Sequence, residues 1–227
     1  MILPHSAFSI LTVHTERLHD DRVWRRVSAF ADYLHARSFT AVWFSINPAA
    51  PAYVALGYDV QKWITRLAYL RSRGQRIEQH SHFYGVKKGS YDLSPEYMVR
   101  RLREDRTWLE SHGHTVKGFV SGAWIMNGTL MDILGQQGYD YDCSAHTFRI
   151  PYLAGRGDEI ILTEIRQFGS VREIPTTHAL KNFWRSVNGS YQLVYLHDYD
   201  LLRLSFRLLI RLFLVGRTRL ESPLALL

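Results

Sequence analysis

Short runs rich in β-branched and aromatic residues alternate with amphipathic stretches of helical length along the whole chain. That rhythm restricts the fold to βα units wound around a mainly parallel sheet. Ala7–His14 reads as a buried strand, and Asp21–Ala36 follows with Val23, Val27, Phe30 and Leu34 on one helical face. Phe39–Ile46 is the second strand, and Pro48 and Pro51 punctuate the loop after it. Val60–Ser72 carries Trp63, Ile64, Leu67 and Leu70 at helical spacing, and Gly74 closes it. A short strand is expected at Arg76–His80. Ser94 and Pro95 then open a long helix that runs to Ser111, with Gly113 just past its end. Val116–Val120 reads as strand, Gly128–Gln137 as helix and Tyr139–Cys143 as strand; Ile160–Ile165, Val171–Pro175 and Gln192–His197 read as further strands. Strands and helices in this order predict an irregular (β/α)7 barrel, with a doubly wound sheet as the other arrangement.

Composition narrows the chemistry. At 227 residues and 46% hydrophobic, the chain can bury one large core, and no tract is biased enough for disorder or low complexity. Cys143 is its only cysteine, so a disulfide within the chain or a cysteine-based cluster is excluded and any metal must use histidine and carboxylate. The start MILPHSAFSILTVH has no basic leader and no long apolar segment, so it reads as the first strand and the expected location is cytoplasmic. A formal charge of +7 favours anionic partners. No zinc-finger, RRM or KH pattern accompanies the charge, and nucleic acid is not expected as a partner.

In either fold, polar groups at the carboxyl ends of strands form the site. Those ends are His14-Thr15-Glu16, His80-Ser81-His82, Ser121, Asp142 and His197-Asp198. Several imidazoles and a carboxylate at one rim suggest a metal or an acid–base site. Each also has a plainer reading: His14 as a strand-end hydrogen-bonding group, His82 as a surface imidazole, and His197 with Asp198 and Asp200 as the cap of the last helix.

Over most of residues 7–200 the chain resembles the polysaccharide deacetylases of the NodB-homology group, carbohydrate esterase family four. Leu11-Thr12-Val13-His14-Thr15-Glu16 stands where that family has an aspartate-rich motif closing strand one, TFDD or, in one branch, TVDVE. Gly74 to Tyr84 resembles the G-x-E-I-x-x-H-[ST]-x-x-x-H metal motif, and Leu130–Ala145 the helix leading into a GF-x-YDSS strand. Arg172-Glu-Ile-Pro175 is similar to the E-x-P element, and Leu193-Val-Tyr-Leu-His197 to the terminal L-x-H motif.

The resemblance implies one divalent cation, expected to be zinc, and hydrolysis of an N-acetyl group on an amino sugar. An amide carbonyl is a poor electrophile, so a metal must polarise it; a base activates water and an acid protonates the departing amine. By the resemblance, His80 is the first metal histidine and Ser81 its neighbouring hydroxyl. Tyr84 stands where the second metal histidine would fall, which leaves His82 as the candidate ligand. Thr15 stands where the metal aspartate would be, and Glu16 is the candidate to recover that role, with His14 as base or ligand. Phe119–Trp124 lies where the family has R-x-P, and neither the arginine nor the proline is present. The last motif is intact: Leu196 would line the acyl-methyl pocket and His197 would be the general acid. Trp124 is a candidate sugar platform, since pyranose CH groups pack on indole, and equally a candidate core residue.

Residues 201–227 read as an appendage to a barrel spanning 1–200. From Leu201 the sequence LLRLSFRLLIRLFLVGR spaces Arg203, Arg207 and Arg211 by four, with nearly everything else apolar. The helix is too short to span a bilayer. Its surplus apolar surface would meet a membrane interface, a partner subunit, or the barrel and the Glu221–Leu227 tail. The expected function is a deacetylase-like, metal-dependent hydrolase on an N-acylated sugar or glycolipid, peripheral to the inner membrane face if the helix docks there. The alternatives are a catalytically altered carbohydrate-binding member of the same fold and a peripheral membrane scaffold.

Overall fold

The computed structural model describes residues 8–85, 90–148, 160–185 and 190–227; Ala7, the first residue of the expected opening strand, lies outside them. The elements run β1 (Phe8–Thr15), α1 (Asp21–His35), β2 (Val42–Ser45), α2 (Pro51–Val54), α3 (Val60–Ser72), β3 (Arg76–Ser81), α4 (Pro95–Ser111), β4 (Gly118–Ser121), α5 (Gly128–Gln136), β5 (Tyr141–Asp142), β6 (Arg166–Phe168), β7 (Val171–Glu173), β8 (His178–Ala179), β9 (Tyr191–His197) and α6 (Leu204–Leu214). The strands hydrogen-bond in the order β6-β7-β5-β4-β3-β2-β1-β9-β8. From β5 back to β1 the order steps one way without reversal. A doubly wound sheet needs a reversal at its switch point, so this winding is that of a (β/α) barrel.

The described chain divides into two compact units. The first comprises residues 1–44, 48–77 and 176–226. Within it β1 and β9 pair in parallel, with His14 opposite His197, and β8 pairs with β9. Asp20 caps α1 by accepting from the Arg22 backbone N–H, and Val23, Val27, Phe30 and Leu34 are buried as their spacing predicts. In α3 the inner face is Trp63, Arg66, Leu67 and Leu70. Ile64 is only half-buried; Arg66 enters the inner face because its guanidinium bonds the Leu18 carbonyl and the Asp21 carboxylate. Gln75 ties the end of α3 to β2, accepting from the Ala41 N–H (3.0 Å) and the Trp43 indole (3.3 Å) while donating to the Phe39 carbonyl (3.1 Å).

The second unit comprises residues 45–47, 78–175 and 227. Its β3, β4, β5 and β7 are parallel neighbours, and β6 returns antiparallel to β7. Glu78, fully buried, accepts from the backbone N–H groups of Lys117 and Gly118 at 2.7 Å each and so fixes the entry to β4. Ser94 begins α4 as expected, but its hydroxyl donates to Asp92 (2.7 Å) rather than capping the helix. The strand expected at Ile160–Ile165 is reduced to a single bridge, Ile161 to His146; regular pairing starts only at Arg166. β8, in a stretch with no strand expected, holds His178, which is buried.

Candidate functional site

In the first unit, β1 and β9 bring two strand ends side by side. His14 is buried against Phe44 (ring centroids 5.9 Å) and Tyr195 (5.5 Å) and stands edge-on to His197 (5.4 Å). Glu16, half-buried, lies with its carboxylate 3.8 Å from His197 Nε2, and Asp200 is 3.7 Å from His197 Nδ1. Burial works to lower the His197 pKa, but the Asp200 hydrogen bond and the charges of Glu16, Asp200 and Asp198 outweigh it, and the net shift is upward. The imidazole lies between two carboxylates and is stacked on Tyr199 at 4.9 Å.

Asp198 is what shapes this end. Fully buried, it accepts from the backbone N–H groups of Glu16 (3.1 Å) and Arg17 (2.8 Å) with one oxygen and of Tyr199 (2.8 Å) with the other. Burial pushes its carboxyl up to about 7 against those three donors. It joins the turn after β1 to the turn after β9 and so aims Glu16. Sequence reading put Asp198 among the strand-end polar groups or in a helix cap; its distance from Glu16 in the chain hid this part. Thr15 is buried, and its hydroxyl donates to the Phe44 carbonyl (3.1 Å). Leu196 is buried in β9.

In the second unit, His80 Nδ1 lies 3.0 Å from the Val120 carbonyl. A carbonyl only accepts, so Nδ1 carries the proton and Nε2 is the ring's basic nitrogen. His82 packs edge-on to His80 (4.7 Å) and stacks on Tyr84 (4.8 Å). Gly122 makes room for it: a Cβ there would come 2.2 Å from His82 Nδ1. Ala123 and Trp124, both at φ 57°, follow in the left-handed region, a strained turn that buries Trp124 edge-on to His146 at 5.5 Å. Ser81 is turned away from this face and donates to Asp105 (2.7 Å), which is buried beside Arg101 and pushed up to about 6 by that burial.

A second group of acids ends β5 and β7. Asp142 and Glu173 are register neighbours and wholly buried. Ser144 donates its hydroxyl to Asp142 (2.6 Å), and the Ala145 N–H donates to Glu173 (2.8 Å). Burial raises both carboxyls, Glu173 the further because Asp142 lies against it, so a proton stays on Glu173 and is shared with Asp142.

No protein-family model matches the sequence, and no curated protein matches it. Solved structures do. The chain superposes on a family 4 carbohydrate esterase from Streptomyces lividans with a TM-score of 0.57 at 14% identity, covering 95% of this chain and 91% of that one. A peptidoglycan N-acetylglucosamine deacetylase catalytic domain from Eubacterium rectale gives 0.57 at 12% identity, over 97% and 90%. The chain has the polysaccharide deacetylase fold. The same fold holds a family 4 pseudoenzyme from Bacillus anthracis, matched with a TM-score of 0.57 at 11% identity over 95% of this chain and 64% of that one. The deacetylase fold thus carries both active and inactive members, and the strand-end residues must distinguish them. No described helix is long and apolar enough to cross a membrane.

Proposed function

We propose that the protein is a metal-dependent hydrolase that removes an acyl group from the nitrogen of an amino sugar or related glycolipid. What supports the reading is the deacetylase fold together with one carboxylate, Glu16, and two imidazoles, His80 and His82, at strand ends, which we assign as the metal ligands. The set suits zinc, which takes nitrogen and oxygen ligands and keeps a position open for substrate. A divalent cation held there would polarise the acyl carbonyl and make water acidic. His80 is oriented for the task by its bond to the Val120 carbonyl. His197, whose pKa the Asp200 and Glu16 carboxylates raise, donates to the departing amine, which is too basic to leave unprotonated. His14 beside it is the base that takes a proton from water. Leu196 and Trp124 are assigned to the acyl and sugar contacts.

The test is elemental analysis of the purified protein together with release of free amine from N-acetylated oligosaccharides. Stoichiometric metal that His80→Ala and Glu16→Ala both lose, with loss of amine release, supports the hydrolase. A metal-free protein with no turnover ends it.

A second reading, a sugar-binding member without catalysis, is favoured by Thr15. The hydroxyl that stands where deacetylases place a metal aspartate is buried and committed to the Phe44 carbonyl. Sugar affinity in metal-free protein, unchanged in Glu16→Ala, selects that reading.

A further inference from the structure

Helix α6 is apolar on two opposite faces. Ile210, Phe213 and Leu214 are buried against the first unit, with Phe213 edge-on to Phe183 at 5.6 Å. Leu204, Leu208, Leu212 and Val215 follow at intervals of four, four and three, form one stripe on the far side, and remain 51% to 62% exposed. A helix whose only duty is to cover a core carries polar residues there. The helix cannot turn this stripe inward, because Arg217 just beyond it is bonded to Ser9 Oγ (2.9 Å), Gln192 Oε1 (2.8 Å) and the Phe213 carbonyl.

The stripe is bordered by charge of one sign. Arg207 and Arg211 flank it and, with Arg26 of α1, line a cleft of about 240 Å³ floored by Phe30, Tyr33 and Leu201. No acidic residue lines the cleft, and none of these three arginines is ion-paired with a carboxylate among the described residues. Two of them are held in place: Arg207 donates to the Leu201 and Leu202 carbonyls at 2.9 Å each, and Arg211 sits 5.9 Å from the centre of the Tyr33 ring. Unneutralised guanidiniums beside open leucines complement a surface that offers anions at one depth and hydrocarbon just below. A second copy of the chain would supply the hydrocarbon but, through this patch, no acid.

We propose that α6 and the α1–α6 cleft dock the protein on an anionic phospholipid bilayer, the helix lying in the interface plane. The inference is independent of the hydrolase reading. It is tested with the full chain in co-sedimentation with vesicles of phosphatidylcholine alone and of phosphatidylcholine mixed with phosphatidylglycerol. Sedimentation with the mixed vesicles only, weakened by salt, is expected. Arg26→Glu with Arg211→Glu should lower partitioning about thirtyfold or more, from the contribution of each basic residue at an anionic surface. Leu208→Ser with Leu212→Ser should lower it more than about tenfold through lost apolar burial. All four side chains are solvent-facing, so circular dichroism and thermal unfolding should match the parent protein. Absence of sedimentation with mixed vesicles, equal sedimentation with neutral ones, or a dimer in ultracentrifugation that the leucine variant dissolves would each overturn the proposal.

Discussion

Two pairs of strands end in acids, and they treat them in opposite ways. Where β1 and β9 end, Glu16 and His197 stay partly open to solvent, and one buried acid, Asp198, is spent on backbone N–H groups to aim them. Where β5 and β7 end, Asp142 and Glu173 are sealed completely, and burial beside one another raises both carboxyls, Glu173 the further. Acids at equivalent strand positions therefore give an open end and a sealed one, and burial makes the difference.

The contrast can be broken from its open side first. Glu16→Ala removes the proposed carboxylate ligand and a carboxylate holding His197; turnover should fall at least about thousandfold, with metal lost by elemental analysis, while the melting temperature barely moves. On the sealed side the roles invert. Glu173→Ala leaves Asp142 buried without its proton donor and should cost about 3 kcal/mol in denaturant unfolding, whereas Glu173→Gln, which still donates, should cost under about 1 kcal/mol.

The pH dependence of stability sharpens the same point. Asp142 and Glu173 have native pKa values raised above their unfolded ones, so the folded chain holds more protons. Their stabilising share is complete below the ordinary carboxylate range and fades as pH rises through the raised native values. Unfolding free energy should decline from about pH 4 toward neutrality by on the order of 2 kcal/mol, and Asp142→Asn with Glu173→Gln should flatten that slope. The smallest effect is expected at Gly122→Ala. The new methyl must displace the His82 ring, costing about 1–2 kcal/mol in stability and weakening metal retention.

The helices were legible because their apolar positions repeat: Val23, Val27, Phe30 and Leu34 are the buried face of α1 as spaced. Arg66 was not, since a buried cation is explained by partners on another segment, Leu18 and Asp21. β6 and β8 are too short to show a period. Strand ends told where His14, Glu16, His80 and His197 would stand. They did not tell which acids would be open. Asp142 and Glu173 meet through strand register, and register between distant segments leaves no trace in either one. Gly122 reads in the sequence as an ordinary turn residue; in three dimensions its missing Cβ is the space His82 fills.

The pairing of His14 with His197 joins the first described strand to the last. A nascent chain leaving the ribosome therefore cannot assemble the His14–His197 end until β9 has emerged, and the edge of β1 that β9 covers must wait unpaired through most of synthesis. Chaperone dependence, and a cell's first sign of trouble with this protein, would be felt at that waiting edge.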